Sequence, residues 1–340
     1  MNKPKKIGII GSGFISDYHI PALQQVGAEI VILCSIKEEE AKQKAARYHI
    51  SQTTIDYKAV LAIEDLDAVL ILTPESTHCE IAVAAAQAGK AIFLQKPMAR
   101  SSEECRTILD AVRTAGVPLY VSFMHRHFPE VEHARTLLEQ GALGRILTIR
   151  QRNATPGATW SPWFFDRKLV GGGAVMQLGV HGIDLLRHMF GEINAVQAHV
   201  AQLVKERVMA DGTIVHPDNE DYAVALYRFD SGIIAHHEII YNEVAGTDRF
   251  RMEIYGEKGT AWLRTERGLL SYFQAGESAS WATPEISTED FGIRQHRNFL
   301  DMLEGKTPFD QSGEDGLRSI QIAEAIYRSA QTLTWTEVGK

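Results

Sequence analysis

The first 123 residues alternate between two kinds of segment, and this alternation constrains the fold more than any other feature. Short apolar runs rich in β-branched residues are separated by stretches whose apolar residues recur every three or four positions. Apolar runs without polar alternation are typical of parallel strands that are covered on both faces. The predicted strands are residues 6–10, 29–33, 68–72, 91–94 and 119–122, and the predicted helices are 15–26, 38–48, 77–88 and 101–115. The alternation predicts an α/β domain with a right-handed, doubly wound parallel sheet.

The pattern changes after Phe123. Helices are predicted at 129–139 and 175–189, and strands at 145–152, 195–204, 223–229, 232–241 and 249–255. Consecutive alternating strands with a helix on one face predict an α+β domain with a large, mainly antiparallel open sheet. We therefore divide the chain into residues 1–123 and 124–340, which agrees with the two domains of about 150 residues that a 340-residue chain suggests. The open face of the second sheet needs a cover, so we expect a homodimer or homotetramer formed through it.

Composition excludes several classes of protein. The balance of 35 Lys and Arg against 43 Asp and Glu gives a net charge of −8, so nucleic acid and anionic membranes are not expected partners. The longest apolar runs are far shorter than the roughly 18 residues that span a bilayer, and the N-terminus lacks a signal-peptide pattern. Three widely separated cysteines, Cys34, Cys79 and Cys105, indicate a reducing compartment. We expect a cytoplasmic protein with a small-molecule substrate.

The segment GIIGSGFIS at residues 8–16 lies between the first predicted strand and the first predicted helix. Gly11 allows a tight turn, Gly13 allows a close backbone approach to a pyrophosphate, and the helix N-terminus stabilises negative charge. Ser16, at the third glycine position of this fingerprint, is still small. The segment predicts a dinucleotide site, while the alternative is a glycine-rich turn without a ligand. The candidate cofactor contacts here are Gly11, Gly13, Phe14 and Ile15.

The end of the second strand bears on the choice of cofactor. NAD enzymes place an Asp or Glu on the ribose about twenty residues after the glycines, but this chain has Ser35 and Lys37 there. A hydroxyl and a cation would suit a 2′-phosphate, so the residues favour NADP over NAD as the NAD(P) cofactor. The alternatives are that both are ordinary surface residues, or that Glu38 reaches the ribose.

Two further motifs follow strands of the first domain. TPESTH at residues 73–78 and QKP at 95–97 both lie at the carboxyl edge of the predicted sheet, where ligands bind in open α/β folds. Lys96 would project from this edge, although a lone lysine after a strand is more often a solvated residue. The candidate cofactor contacts in these motifs are Thr73, Pro74, His78 and Gln95.

Taken together, five motifs resemble the Gfo/Idh/MocA family of oxidoreductases, named after glucose-fructose oxidoreductase, inositol dehydrogenase and MocA. They are GSGFISDYH, TPESTH, QKP in place of the family's EKP, FMHRHFP in place of its GYNRRFDP-like segment, and GGGAVMQLGVHGIDLLRHMFG in place of GGGxLxDxGxHxxD. The five occur in the family's order and cover nearly the whole chain.

The resemblance implies catalytic roles for Lys96 and His181 and a nicotinamide between the two domains. It also implies a hydroxyl or carbonyl of a sugar, cyclitol or related small polyol as the reacting group. The residues agree, because Gln177 and His181 are four apart on a helix and Asp184 follows one turn later. We therefore take Gln177 and Asp184 as substrate contacts and add Trp163, from the aromatic segment at residues 155–165.

Two residues depart from the family pattern. Gln95 and Gln177 stand where the family often has Glu and Asp. Since a neighbouring anion raises the pKa of a lysine or histidine, its absence is expected to ease deprotonation of Lys96. Gln177 is expected to bind a substrate hydroxyl through its amide.

These observations predict an NAD(P)-dependent dehydrogenase or reductase in which Lys96 and His181 are the acid and base of a hydride transfer. One alternative is a relative that cleaves glycosides with NAD and no net redox change. Another is a cofactor-binding protein without catalysis, suggested by the two glutamines. No metal is expected, although His125 and His127, which we expect to alternate on one strand face, and the adjacent His236 and His237 are weak candidate ligands.

Overall fold

The computed structural model describes residues 3–245, 248–264, 270–277, 280–307 and 313–339. The chain forms two compact units. The first contains Met1–Met124 and Glu289–Arg318, and the second contains His125–Thr288 and Ser319–Lys340. The predicted division after residue 123 has one boundary, whereas the chain passes between the units three times.

The helices and strands are numbered in chain order. The strands are β1 (Lys6–Ile10), β2 (Glu29–Cys34), β3 (Gln52–Thr54), β4 (Ala68–Ile71), β5 (Ala91–Gln95), β6 (Leu119–Ser122), β7 (Ile146–Ala154), β8 (Ile193–Ala201), β9 (Arg207–Val208), β10 (Ile214–Val215), β11 (Tyr222–Phe229), β12 (Ile234–Ile240), β13 (Phe250–Gly256), β14 (Gly259–Arg264), β15 (Leu270–Gln274) and β16 (Thr336–Glu337). The α-helices are α1 (Ser16–Gln25), α2 (Glu38–Tyr48), α3 (Tyr57–Leu61), α4 (His78–Gln87), α5 (Ser102–Ala115), α6 (Pro129–Glu139), α7 (Arg167–Val170), α8 (Val180–Phe190), α9 (Phe291–Leu303) and α10 (Gly313–Thr332). Short 3₁₀ turns span Glu75–Thr77, Met124–His127 and Pro162–Phe165, and a π-helical turn spans Val175–Gly179.

The first unit is built on a six-stranded parallel sheet in the order β3-β2-β1-β4-β5-β6. Its central strands are buried along their length, which explains why they read as continuous apolar runs. The predicted doubly wound α/β domain is therefore confirmed. Strand β3 and helix α3 are not predicted from the sequence, because they have only three and five residues and offer little periodicity.

Helix α9 completes the core of the first unit from far along the chain. Phe299 is fully buried and packs edge-on against Phe93 and Tyr120. One turn earlier, His296 Nε2 lies 2.9 Å from Nδ1 of the buried His19. These contacts join residues more than 170 positions apart, so no local sequence pattern predicts them.

The second unit is built on an eight-stranded sheet in the order β15-β14-β13-β7-β12-β11-β8-β16. All neighbouring pairs are antiparallel except β12 and β7, so the predicted large, mainly antiparallel sheet is confirmed. Burial alternates along the strands, as in β12, where His237 is buried and His236 exposed. One face of the sheet therefore carries the core and the other is open.

Helix α8 and its preceding turn pack on the buried face of this sheet. The stretch Arg167–Phe190 is long and apolar enough to cross a membrane, but 89% of its most apolar window is buried inside the protein. Glycines permit the close packing, since a Cβ at Gly182 would lie 1.9 Å from Gln151 Nε2. The stretch is a core helix of this unit.

One local prediction is wrong. His125 and His127 were expected to alternate on a strand face, but both lie buried in the 3₁₀ turn Met124–His127. This turn follows β6 almost directly. The strand-like pattern of the sequence therefore continues beyond the last residue of the strand.

Candidate active site

The carboxyl edge of the first sheet gathers most of the predicted cofactor residues. Gly11 follows β1, Ser35 follows β2, Thr73 comes shortly after β4, and Lys96 follows β5. The strand order reverses direction between β1 and β4, and such a reversal opens a crevice at the carboxyl ends of the strands. The spacing of these residues along the chain is therefore explained by the topology.

The glycine-rich turn between β1 and α1 has the form that a pyrophosphate requires. Gly11 has φ +114°, and a Cβ there would lie 2.6 Å from the carbonyl oxygen of Leu72. A Cβ at Gly13 would meet no atom within 4 Å. Ser16 is buried, and its hydroxyl donates to the Gly13 carbonyl oxygen at 2.7 Å, which closes the turn at the third fingerprint position. The turn and the helix N-terminus behind it fit a dinucleotide.

The two residues that follow Gly13, Phe14 and Ile15, differ in exposure. Phe14 is 67% exposed, while Ile15 is half-buried and packs against the apolar core of the unit. Lys44, from α2, donates to the Gly13 carbonyl oxygen at 3.1 Å and lies 3.0 Å from Asp17. This lysine braces the turn from behind and was not predicted, because it lies 31 positions away from Gly13.

The structure gives no support to the predicted NADP preference. Lys37 is exposed, but its ammonium lies 2.7 Å from Glu40 Oε1. Ser35 is buried, and its hydroxyl accepts from Ser12 Oγ at 2.8 Å and from the Lys37 backbone N–H at 3.2 Å. Both groups expected to hold a 2′-phosphate are thus engaged within the protein.

His78 lies between two backbone segments of this edge. Its ring nitrogens lie 2.8 Å from the carbonyl oxygen of Thr73 and 3.0 Å from that of Pro97. The ring is buried, and burial lowers its pKa below the ordinary value. His78 therefore ties the turn after β4 to the turn carrying Lys96, while Thr73 and Pro74 are partly exposed beside it.

Gln95 and Lys96, at the end of β5, are both partly buried. Gln95 lies beside His19, whose pKa burial lowers to about 3, an effect that the Gln95 amide opposes. The neighbouring strand contributes Ser122, whose hydroxyl accepts from Gln295 Nε2 at 3.2 Å. Uncharged hydrogen-bonding groups therefore lie beside Gln95, the residue that precedes Lys96.

In the second unit, the triple glycine makes a turn that the protein itself fills. A Cβ at Gly172 would lie 2.1 Å from the Tyr327 hydroxyl, and one at Gly173 would lie 1.9 Å from the carbonyl oxygen of Glu220. The turn opens directly into the π-helical turn and α8. Both glycines are therefore required by close approach.

Gln177 and His181 are both buried, the first in the π-helical turn and the second at the start of α8. The His181 ring stacks on that of His125 with centroids 4.3 Å apart and planes inclined by 10°. His125 also contacts Phe128 and Phe250. The stack fixes the plane of the His181 imidazole, and π-helical turns of this kind are frequent at functional sites.

Asp184 forms an ion pair within the second unit. It is fully buried, and its two carboxylate oxygens accept from Arg126 Nε at 2.8 Å and from an Arg126 terminal nitrogen at 2.5 Å. This bidentate ion pair ties α8 to the turn after β6, while the substrate contact expected of Asp184 stays a prediction. Arg126 is not predicted as the partner of Asp184, because 58 positions separate the two residues.

The aromatic segment forms a cluster on the second unit. Trp163 stacks on Phe164 with centroids 3.8 Å apart, and Trp160 meets Phe164 edge-on. Trp163 is half-buried, which leaves part of its ring accessible. Arg167, the first residue of α7, has its guanidinium over the Tyr327 ring at 5.4 Å.

The candidate histidines are not gathered into a metal-binding group in the described residues. Over the described ranges, the structure shows no group of three or more His, Cys, Asp or Glu side chains arranged to hold a metal ion. His237, one of the weak candidates, instead accepts from or donates to Tyr227 and Asn153 within the core of the sheet.

Comparisons with known proteins agree with this description. Residues 5–123 match the family profile described as oxidoreductase family, NAD-binding Rossmann fold, and residues 131–262 match the GFO/IDH/MocA C-terminal domain. Levoglucosan dehydrogenase of Pseudarthrobacter phenanthrenivorans is 28% identical over alignments covering 98% of this chain and 97% of that protein. Inositol 2-dehydrogenase 2 of Saccharopolyspora erythraea is also 28% identical, covering 96% and 93%.

Solved structures show the same likeness. A levoglucosan dehydrogenase in complex with NADH superposes with a TM-score of 0.92 at 27% identity, covering 99% of this chain and all of the other. A complex of levoglucosan dehydrogenase with NADH and levoglucosan gives a TM-score of 0.90. With both of its units matched, the chain belongs to the GFO/IDH/MocA family of NAD-binding oxidoreductases.

Proposed function

We propose that this protein is a dehydrogenase that transfers hydride between NAD and a hydroxyl-bearing carbon of a sugar, cyclitol or related small polyol. The observation that carries this proposal is the buried, stacked His181 beside Gln177, combined with a Lys96 retained at the sheet edge that also carries the open glycine turn. The named relatives act on levoglucosan and inositol, which supports a polyhydroxylated substrate.

The protein residues supply binding and proton transfer. Lys96 takes the proton of the reacting hydroxyl, and His181 assists as a second acid/base group whose ring plane is fixed by His125. Gln177 binds a substrate hydroxyl, since an amide both donates and accepts. Trp163 offers an aromatic face to the sugar ring. When bound, NAD supplies the hydride acceptor of the reaction.

NAD is the preferred cofactor in this proposal, in place of the NADP that Ser35 and Lys37 favour in the sequence. The pairing of Lys37 with Glu40 and the burial of Ser35 leave a 2′-phosphate without a prepared site among these residues. Pyrophosphate contacts are assigned to the backbone at Gly11 and Gly13, with Phe14, Ile15, Thr73 and Pro74 around them.

The proposal is tested by following nicotinamide absorbance with a panel of sugars, cyclitols and anhydrosugars. Lys96→Ala is expected to lower kcat by about 10²- to 10⁴-fold, the range for loss of an acid/base group, with NAD binding retained. Lys306→Ala, which removes an exposed lysine paired with Asp301, is the matched control. Normal turnover in Lys96→Ala would refute the assignment. Glycoside cleavage without net absorbance change would favour the non-redox alternative.

We also propose that copies of the chain associate through the open face of the second sheet. Alternate residues of β11 and β12 on this face remain only partly covered, and they include Val224, Leu226 and Ile240. Leu226→Glu should shift the molar mass measured by light scattering to that of a single chain.

The three cysteines are free, which supports the proposal of a cytoplasmic location.

A further inference from the structure

Glu220 holds the start of the helical run that carries Gln177 and His181. Its Oε1 accepts from the backbone N–H of Gly173 at 2.9 Å, from that of Val175 at 3.0 Å and from the Tyr327 hydroxyl at 2.7 Å. Its own carbonyl oxygen accepts from the Ala174 N–H at 2.9 Å. Since Glu220 is only 7% exposed, three successive residues of the turn are fixed by one buried side chain and its backbone.

The preceding residue holds the aromatic segment. Asn219 Nδ2 donates to the Phe164 carbonyl oxygen at 2.9 Å and to that of Gly172 at 3.3 Å. Asn219 is 4% exposed, so water competes weakly for these acceptors. The stack of Trp163 on Phe164 is therefore tied to the same two-residue segment that fixes the helix start.

The packing leaves this arrangement little freedom. Gly172 lies against the Tyr327 hydroxyl, and Gly173 lies against the backbone of Glu220 at distances that exclude any side chain. The turn cannot shift without displacing Glu220, and Glu220 cannot shift without breaking its bonds to the turn. A carboxylate at this end of a helix is further favoured by the helix dipole.

We propose that Asn219 and Glu220 are positioning residues that hold the aromatic segment and the helix of Gln177 and His181 in a fixed relative position. Glu220 fixes the acid/base and amide groups, while Asn219 fixes the sugar-binding aromatic face. This inference rests on the proposed function for its catalytic readout. Its structural part concerns only contacts within the second unit.

The first test is Glu220→Gln, which keeps the size and one acceptor oxygen but removes the charge. We expect kcat to fall about tenfold, because charge-assisted bonds to the turn are replaced by weaker neutral ones, while KM changes less than about twofold. Amide hydrogen exchange of the segment from Val175 to His181, measured without substrate, should become faster. Tyr327→Phe, which removes one of the three donors, should lower kcat about threefold.

Asn219→Ala should give the opposite kinetic pattern, with KM raised about fivefold and kcat lowered less than about twofold. The aromatic segment loses its bond to Asn219, whereas the glycine turn loses only the longer bond at Gly172 and keeps its bonds to Glu220. Asp56→Asn is the matched control. Asp56 caps α3 by accepting from the Lys58 N–H at 2.9 Å, and α3 carries none of the predicted site residues or their hydrogen-bond partners. This control should change neither constant.

The outcomes separate the two proposals. Unchanged amide exchange together with unchanged kcat in Glu220→Gln would overturn the positioning role. Absence of turnover in the unmodified protein with every polyol would contradict the proposed function, whereas faster exchange in Glu220→Gln would still support the positioning role.

Discussion

The two units each contain a glycine-rich turn that opens into a helix, but the turns are filled in opposite ways. In the first unit, the turn around Gly13 leaves open space where a Cβ would lie, and the neighbouring Phe14 is exposed. In the second unit, the space at Gly173 is taken by Glu220, whose carboxylate accepts from the N–H groups at the helix start.

The difference separates two uses of the same local chemistry. A helix N-terminus attracts negative charge in either case. Where the turn is open, the charge can come from a cofactor phosphate, and the turn is a binding site. Where the protein supplies its own carboxylate, the turn becomes a rigid support for the side chains that follow, here Gln177 and His181. Glycine content alone does not distinguish the two.

The largest expected effect concerns the ion pair of Arg126 with Asp184, which anchors α8 of the second unit. Asp184→Asn would leave Arg126 buried without its counter-charge and should lower the free energy of unfolding by about 3–5 kcal/mol. Glu40→Gln, which breaks the exposed pair with Lys37 in the first unit, should cost less than about 0.5 kcal/mol. Denaturant unfolding of both variants measures the contrast. Equal losses would contradict the view that the second unit depends on internal charges.

A carboxyl near another helix start of the second unit gives a pH-dependent effect. Glu130, in the first turn of α6, is 3% exposed, and burial raises the pKa of this carboxyl from 4.5 to about 7. Because the folded protein holds the proton more tightly than the unfolded chain, stability is lost as the pH rises from about 4.5 to 7. Glu130→Gln should therefore stabilise the protein by up to about 3 kcal/mol at pH 8 and by little at pH 4. Chemical unfolding at the two pH values tests the sign, and an equal gain at both would contradict it.

Exchanging one glycine in each turn tests the comparison directly. Gly173→Ala places a Cβ against the backbone of Glu220 and should destabilise the protein by about 2–3 kcal/mol. Gly13→Ala meets no protein atom, so its melting temperature should hardly change, while its affinity for NAD should fall about tenfold or more. Calorimetry and cofactor titration separate the two effects. Loss of stability in Gly13→Ala with intact NAD binding would contradict the interpretation of the Gly13 turn as an open binding site.

The sequence predicts the open turn of the first unit better than the self-supported turn of the second. The predicted strands and helices of the first unit lie within one or two residues of their observed bounds, because buried parallel strands and capped helices have local signals, whereas the short β3 and α3 have none. The Gly11 and Gly13 turn was found for the same reason. By contrast, the partnership of Asp184 with Arg126, the support of Gly173 by Glu220 and the return of α9 beside His19 depend on contacts between distant residues. A titratable side chain gives no sequence signal of whether it will meet a ligand or a partner inside the protein.

The smallest expected effect concerns the residue that suggested NADP. Lys37 is exposed and paired with Glu40, so an ion pair of this kind contributes about 0.5 kcal/mol or less. Lys37→Ala should therefore change the affinity for NAD less than about twofold, and affinity for NADP should be weak both before and after the substitution. Titration of both cofactors against both proteins measures this. If the unmodified protein binds NADP more tightly than NAD and Lys37→Ala abolishes that preference, the Lys37 side chain leaves Glu40 to hold the phosphate. The first unit would then complete its binding site only when the cofactor arrives, in contrast to the second unit, whose helix support is already assembled by Glu220.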